Sequence, residues 1–329
     1  LNEVNVHKVI YDTDPGVDDA MALLFQVRHP EIELLGITSV FGNATIEDTT
    51  RNALYLAGRF APHVPVARGA AAPLARTAPG PLPFIHGENG VGDIEIPAGA
   101  GNFGATLDPR PAHRFIIDTV RAHPGEVTLL AVGPMTNLAL ALAEDPGIAR
   151  LVKQVVIMGG AFGIHGILGN VSPAGEANIF NDPHAADQVL GAPWRVSVVG
   201  LDVTQRTIMS AAYLASLRDE AGEDGQFVWD VSRVYHHFHL SSEGLDGIYV
   251  HDASAVACLV RPDLYTLRNG PVRVLTEGMA IGQTIQKPLS MPVPAPEWDS
   301  RPAQSVCIAA DYAAVLELYR TTLVAGHRG

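Results

Sequence analysis

The stretch VIYDTDPGVDDAMALL, residues 9–24, sets Asp12, Asp14, Asp18 and Asp19 between two apolar runs. Carboxylates packed this closely repel one another, so the pattern calls for a bound cation or for one carboxyl group held ready to take a proton. Asp12 and Asp14 have the two-residue spacing that places side chains on one side of a strand. Pro15 and Gly16 then turn the chain, and Asp18 and Asp19 open a helix whose positive end favours carboxylates. A hard divalent cation suits this set, because calcium takes about 6–8 oxygen ligands and tolerates irregular geometry. Helix capping by Asp18, or a turn bond from Asp12, would account for either residue alone. It does not account for the whole cluster following directly on a buried strand.

Two known carboxylate patterns fit poorly. An EF-hand loop follows a helix and needs a Glu at its twelfth position, whereas here a strand precedes, Gly16 falls on the third ligand site and Leu23 on the twelfth. A haloacid-dehalogenase type of phosphatase places Gly after its second Asp, and here Pro15 follows Asp14, leaving Asp18 and Asp19 without a role.

The elements that must position these residues are legible as an alternation. KVIYDTD, IELLGITSVFGN, VTLLAVGP, QVVIMGGA and RVSVVGLDVT read as buried strands rich in Val and Ile. Between them DDAMALLFQVRH, IEDTTRNALYLAGRF, AHRFIIDTVRAH and MTNLALALAED carry helical periodicity. This order predicts an α/β fold: an open, mostly parallel, doubly wound sheet with helices on both faces. An added helical region is expected near 205–260, with QFVWDVSRVYHHFHL and HDASAVACLV as its helices. Three stretches rich in Pro and Gly, at 75–93, 163–183 and 288–305, read as long loops, a length that is usually functional or mobile. Ligands of open parallel sheets bind beyond the carboxyl ends of the strands. Asp12 and Asp14, Asn43, Val132 and Met158 all fall at such ends. A polar rim is therefore assembled from distant segments, and a single domain over 1–329 is expected.

Composition bounds the partners. The 329 residues are 47% hydrophobic and 17% charged, ample for a buried core, and the formal charge of −13 would repel phosphate backbones and anionic lipid surfaces. Neither nucleic acid nor a membrane is an expected partner. Cys258 and Cys307 form no CxxC pair and no disulfide framework, which fits a reduced cytoplasm. No apolar run reaches the length of a membrane span. The start, LNEVNVHK, lacks the regions of a signal peptide, and the absent Met is expected of a trimmed or processed start.

DTDPGVDDA closely resembles the opening motif of the inosine-uridine preferring nucleoside hydrolases, and the resemblance continues in order through VFGN, HGENGVGD, VGPMTNLALAL, IMGGAF, GNVSPAGEANIFNDPHAA and VHDASAVA. It runs from residue 9 to about 260 and is weaker beyond. The resemblance implies calcium-dependent hydrolysis of the N-glycosidic bond of ribonucleosides, in a homo-oligomer that is a tetramer or dimer. Asp14, Asp19 and Asp252, with the carbonyl of Val132, would hold the calcium, and Asp14 would take a proton from the water the metal activates. Asp18 and Asn178 would bond the ribose diol, with Asn43 nearby. Glu176 and Asn170 would hold the 5′-hydroxyl, and Met158 would pack against the sugar. The residue chemistry agrees, because an oxocarbenium-like transition state needs an activated water, anionic surroundings and a proton for the leaving base.

Asn170 and Asn178 alone would pass for turn residues. Their placement six before and two after Glu176 favours the sugar-binding reading. Ala177 departs from relatives that carry an aromatic there, which puts one packing contact in doubt. In HHFH, 236–239, the spacing spreads the rings around a helix and argues against zinc. That helix is instead expected to line the base pocket with Tyr235, His236 and His239. His86, in a glycine-rich loop, would close over the nucleoside, and His251, beside Asp252, would donate the proton to the departing base. A metal-dependent phosphohydrolase and a non-catalytic riboside- or sugar-binding protein are the alternatives. Glu176 speaks against the first, since it would repel a 5′-phosphate, and the intact Asp14 speaks against the second. The stretch HHFHLSSEGLDGIYVHD, 236–252, would face the base, and its length and aromatic content do not fix purine or pyrimidine preference.

Overall fold

The computed structural model describes residues 6–97 and 101–327; the first five residues, where no signal peptide was expected, lie outside them. The strands are β1 (His7–Thr13), β2 (Ile32–Ser39), β3 (Pro65–Arg68), β4 (Thr106–Asp108), β5 (Val127–Ala131), β6 (Gln154–Met158), β7 (Val196–Val199), β8 (Ile208–Ser210), β9 (Gly247–Tyr249), β10 (Tyr265–Gly270), β11 (Val272–Val274), β12 (Thr284–Gln286) and β13 (Gln304–Ala310). Nine of them form one sheet in the order β10-β13-β7-β6-β5-β1-β2-β3-β4. Every neighbouring pair is parallel except β10 with β13. From β1 the chain winds outward through β2 to β4, then returns to the other side of β1 and winds out through β5, β6 and β7. The reversal lies between β1 and its two neighbours, which is where open α/β sheets leave a crevice.

The helices are α1 (Val17–Arg28), α2 (Ile46–Phe60), α3 (Pro83–His86), α4 (Ala112–Ala122), α5 (Thr136–Glu144), α6 (Ala177–Asn181), α7 (Pro183–Gly191), α8 (Leu201–Thr204), α9 (Ala211–Glu220), α10 (Gly222–Val231), α11 (Arg233–Glu243), α12 (Asp252–Val260), α13 (Pro296–Asp299) and α14 (Tyr312–His327). Alternation along β1 divides the core between the two faces of the sheet. Val9 and Tyr11 join a cluster with Leu24, Phe25, Val256 and Tyr319, while Ile10 joins Phe115, Ile116, Leu138 and Val189 on the other side. Each such side chain stabilises the fold by about 1.5–3 kcal/mol through burial.

Helix α1 is apolar nearly all round because it is covered by α12 and α14, and its first turn is closed by Asp19, whose Oδ2 accepts the Gly16 N–H at 2.9 Å. At its far end Arg28 forms a two-pronged pair with Asp224 of α10, at 2.5 and 2.9 Å. The expected α/β architecture and the helical region near 205–260 are present. Boundaries differ where apolar runs hide a turn: RVSVVGLDVT ends its strand at Val199 and continues as α8 after Gly200, and QFVWDVSRVYHHFHL breaks at Ser232 into α10 and α11. The tail beyond 260 supplies the sheet edge, β10 with β13, and α14, whose Tyr319 packs on Phe25 with ring centroids 5.0 Å apart. None of the described helices is long and apolar enough to cross a membrane.

Candidate active site

A cavity opens over the carboxyl ends of β1, β2, β5 and β6. All the residues expected at the site line it except Asp14 and His236. Asp14 lies directly beneath, fully buried. Its Oδ2 accepts the Asn43 N–H at 2.7 Å, while Oδ1 has no hydrogen-bond partner. Two glycines make this seat: a Cβ on Gly42 would fall 1.9 Å from Oδ2, and one on Gly133 would fall 2.6 Å from Oδ1. Asp12 does not line the cavity: its Oδ1 takes hydrogen bonds from Thr38 at 2.5 Å and Asn137 at 2.8 Å, and the strand residue that reaches Asp19 is Thr13.

Asp18, Asp19 and Asp252 bring one carboxylate oxygen each to within 4.8 Å of one another. Asp18 and Asp19 come from the first turn of α1 and Asp252 from the first residue of α12. Asp14 is therefore not among the three that converge most closely, and Asp18, expected on the ribose, is. Asn43 organises the cluster: its side-chain amide donates to the Asp14 carbonyl at 3.1 Å and to Asp19 Oδ2 at 3.0 Å. Burial, then mutual repulsion, pushes these groups up, Asp14 and Asp252 well above the usual carboxylate range and Asp18 to about 8. Asp14 Oδ1, Asp18 Oδ1 and Asp252 Oδ2 are buried without partners. Orphaned, mutually repelling oxygens aimed together are what a divalent cation relieves, so this donor set fits one.

One wall, the one expected to hold the sugar, is built from the 163–183 segment. Glu176 caps α6, its carboxylate accepting the N–H groups of Gly160, Asn178 and Ile179 at 2.8, 3.0 and 3.1 Å. Asn178 directs its amide N–H to the carbonyls of Val132 at 2.8 Å and Met158 at 3.1 Å, leaving its own oxygen as an acceptor. Asn170 is exposed at the rim, and its oxygen accepts the Ala177 N–H at 3.0 Å.

The opposite wall is a run of rings. His86 stacks on Tyr235 at 5.7 Å, Tyr235 meets His239 edge-on at 4.3 Å, His239 meets Tyr249 at 4.9 Å, and Tyr249 meets His251 at 5.8 Å. His86 accepts the Val17 N–H at 3.3 Å, and burial, with His239 adding, pushes it down to about 4. His236 does not join this wall. Its Nε2 pairs with Asp246 at 2.9 Å, since it sits one residue out of the phase in which Tyr235 and His239, four apart on α11, face the cavity. Phe238, Glu243 and Tyr249, within the stretch 236–252 expected to face the base, line the cavity, as do Gln205, Leu82 and Ile85, which the sequence does not single out. Of the long loops, 75–93 and 163–183 reach the cavity, while 288–305 does not.

The family model described as inosine-uridine preferring nucleoside hydrolase matches residues 9–317, well beyond the 260 at which the motif resemblance fades. The chain is 44% identical over 281 residues to uridine nucleosidase 1 of Arabidopsis thaliana, covering 84% of this chain and 81% of that protein. Among solved structures, a plant nucleoside hydrolase, the PpNRh1 enzyme, superposes with a TM-score of 0.87 at 34% identity, over 97% of this chain and 99% of that one. A purine-preferring ribonucleoside hydrolase from Gardnerella vaginalis also gives 0.87 at 34% identity, over 98% and 99%. With the motifs in order, a cation-ready carboxylate cluster at the sheet's reversal point and a family match over nearly the whole length, the chain belongs to the inosine-uridine preferring nucleoside hydrolase family and is a ribonucleoside hydrolase.

Proposed function

We propose that this protein hydrolyses the N-glycosidic bond of ribonucleosides to ribose and free base with calcium as its cofactor, held by Asp14, Asp19, Asp252 and the Val132 carbonyl. The observation that carries the cofactor assignment is the set of unpartnered buried oxygens on Asp14, Asp18 and Asp252. An all-oxygen donor set with no nearby thiol favours a hard cation over zinc. The bound cation supplies a lowered pKa for the attacking water and an anchor for the ribose hydroxyls.

The remaining chemistry belongs to the chain. Asp14 takes the proton from the water whose oxygen forms the new bond to C1′. As the C1′–N bond breaks, its electron pair leaves with the base, and the positive charge developing on the ribose is met by the surrounding carboxylates. Asp18 and Asn178 hold the diol, Glu176 and Asn170 hold the 5′-hydroxyl, and Met158 supports the sugar face. His251 gives a proton to the departing base, which Tyr235, His239 and His86 receive between their rings. The same reading takes the protein to be one domain over 1–329, a homo-oligomer, dimer or tetramer, acting in the cytoplasm in nucleoside salvage or catabolism.

The test is base release from inosine, adenosine, guanosine, uridine and cytidine, with calcium and with excess chelator. Turnover that disappears in chelator and returns with calcium is expected. Full activity in chelator would remove the cofactor assignment, and phosphate release from nucleotides without base release would replace the reading with a phosphohydrolase.

A further inference from the structure

We propose that Glu243 reads the nucleobase, selecting bases that present an N–H at the edge remote from the sugar, such as uracil, hypoxanthine and guanine, over cytosine and adenine, which present a ring lone pair there. The inference rests on the ribonucleoside reading above and assigns the residue that would set the inosine and uridine preference carried in the family's description.

The rings of His86, Tyr235 and His239 can stack on any base and so cannot tell uracil from cytosine, which differ only at the polar edge. Discrimination needs a polar group at the end of the ring run. Glu243 and Tyr249 both line the cavity, and Tyr249 lies next along the wall from His251. The Tyr249 hydroxyl donates to Glu243 Oε2 at 2.8 Å. Burial and this carboxylate push the Tyr249 phenol up to about 12, so it keeps the proton that it donates. With that proton committed, the pair offers acceptors only: the phenol's lone pairs and Oε1 of Glu243, which takes no hydrogen bond from any described residue. Such an edge accepts from N3–H of uracil or N1–H of hypoxanthine and guanine. It faces the lone pair of cytosine N3 or adenine N1 with another lone pair.

The position of Glu243 argues for a use beyond folding. It is the last residue of α11, where a carboxylate meets the negative end of the helix, and no basic residue in that turn compensates. Gly244, with φ +69°, ends the helix immediately afterwards, and the N–H groups of Gly244 and Leu245 return to the carbonyls of Leu240 and His239 at 3.2 Å each. The backbone under Glu243 is therefore fixed. A locally unfavourable residue on a fixed backbone at the cavity is the pattern of a functional position.

The experiment compares wild type with Glu243→Gln, which keeps the size but can turn an N–H toward the base, on uridine, cytidine, inosine, adenosine and nitrophenyl riboside. Wild type should favour uridine over cytidine and inosine over adenosine in kcat/KM, and the variant should lower both ratios by about 10- to 100-fold, the range for a hydrogen bond to a charged acceptor. Nitrophenyl riboside carries no N–H and should be unaffected. Unchanged ratios, a wild type with no preference, or an equal loss on nitrophenyl riboside would overturn the assignment. Should wild type cleave none of these compounds, the hydrolase reading fails on its own, and the preference is read instead from equilibrium binding of uridine and cytidine to both proteins, where an unchanged ratio again overturns it.

Discussion

Thr204 Oγ1 lies 2.8 Å from His251 Nδ1, both residues buried, so Nε2 is the ring nitrogen left for the bound base. Burial, with His239 and His86 adding, pushes His251 down to about 3, so a proton given from Nε2 requires the ring to be held as imidazolium beside the bound base, since a neutral ring would be left as an imidazolate. A Thr204 oxygen that accepts from Nδ1–H favours that imidazolium and leaves its Nε2 proton for the base. Thr204→Val should remove this acceptor and slow natural nucleosides by about 10-fold, a part of what a general acid supplies, with KM little changed. Equal slowing of a riboside whose leaving group needs no proton would show that Thr204 supports the fold and not the proton donor.

Asp14→Asn keeps the size of the side chain and its bond from the Asn43 N–H but removes the proposed base. Turnover should fall by at least ~10³-fold, within the range of a lost general base. Single-turnover base release measures this apart from product release. A rate near that of wild type would move the base to another of the carboxylates.

Gly133→Ala tests the seat itself. The added Cβ would meet Asp14 Oδ1 at 2.6 Å and Val40 Cγ1 at 3.0 Å, with no flexible side-chain end to give way. Activity should drop by at least about 10-fold through misplacement of Asp14, while Gly147→Ala, whose Cβ would meet only side-chain ends, Asp145 Oδ1 at 3.1 Å and Arg121 Nη2 at 4.0 Å, should leave it intact. Calcium affinity, read by titration, should fall with Gly133→Ala alone.

The cation should also govern how stability responds to pH. Asp14, Asp18 and Asp252 have folded-state pKa values above the ordinary ~3.9 of an unfolded Asp, Asp18 near about 8. Without metal, the folded chain holds more protons than the unfolded one. Its stability from these groups is then fully present below roughly pH 4 and is lost as the pH rises toward about 8. The proposed calcium would bind the ionised forms and oppose that loss. The Tm in chelator should fall from about pH 5 to about pH 8, and the gap to the calcium-loaded protein should widen over the same window. A gap that is constant with pH would mean that these carboxylates are not what the ion neutralises.

Much of this site was legible because its chemistry is concentrated in short motifs at strand ends. DTDPGVDDA placed Asp14, Asp18 and Asp19 together through one strand, one turn and one helix start, and the NVSPAGEAN spacing placed Asn170 and Asn178 around Glu176. Asp252 could join them from sequence only through the family's pattern, since no periodicity shows that α12 packs on α1. Asp12 belongs to the same motif yet lies off the cavity, its Oδ1 held by Thr38 and Asn137, partners from β2 and α5 that the motif itself does not announce. His236 was grouped with Tyr235 and His239 by adjacency, although helical phase sets it apart. Glu243 and Tyr249 meet only because α11 ends at Gly244 and the chain doubles back through β9, a return that apolar patterning does not record. The tail strands are hard to read for a similar reason: exposed residues of the edge strand β10, and half-buried ones of β13 beside it, interrupt the continuous apolar run of a buried strand.

The two proton transfers can be separated by changing the leaving group. If His251 protonates the departing base, His251→Ala should slow natural nucleosides by roughly 10²- to 10⁴-fold. Nitrophenolate leaves readily as an anion, so the same variant should cleave nitrophenyl riboside at close to the wild-type rate, whereas Asp14→Asn should be crippled on both because every substrate needs the activated water. The structure sharpens the alternatives, since His86 and His239 also line the cavity while His236 is tied to Asp246 outside it. Equal losses on both substrate types with His251→Ala would make His251 a prop for Asp252, the residue that follows it at the start of α12. No loss on any natural nucleoside would pass the role to His86 or His239, and His86→Ala and His239→Ala on the same substrate pair would then show which of the two carries it.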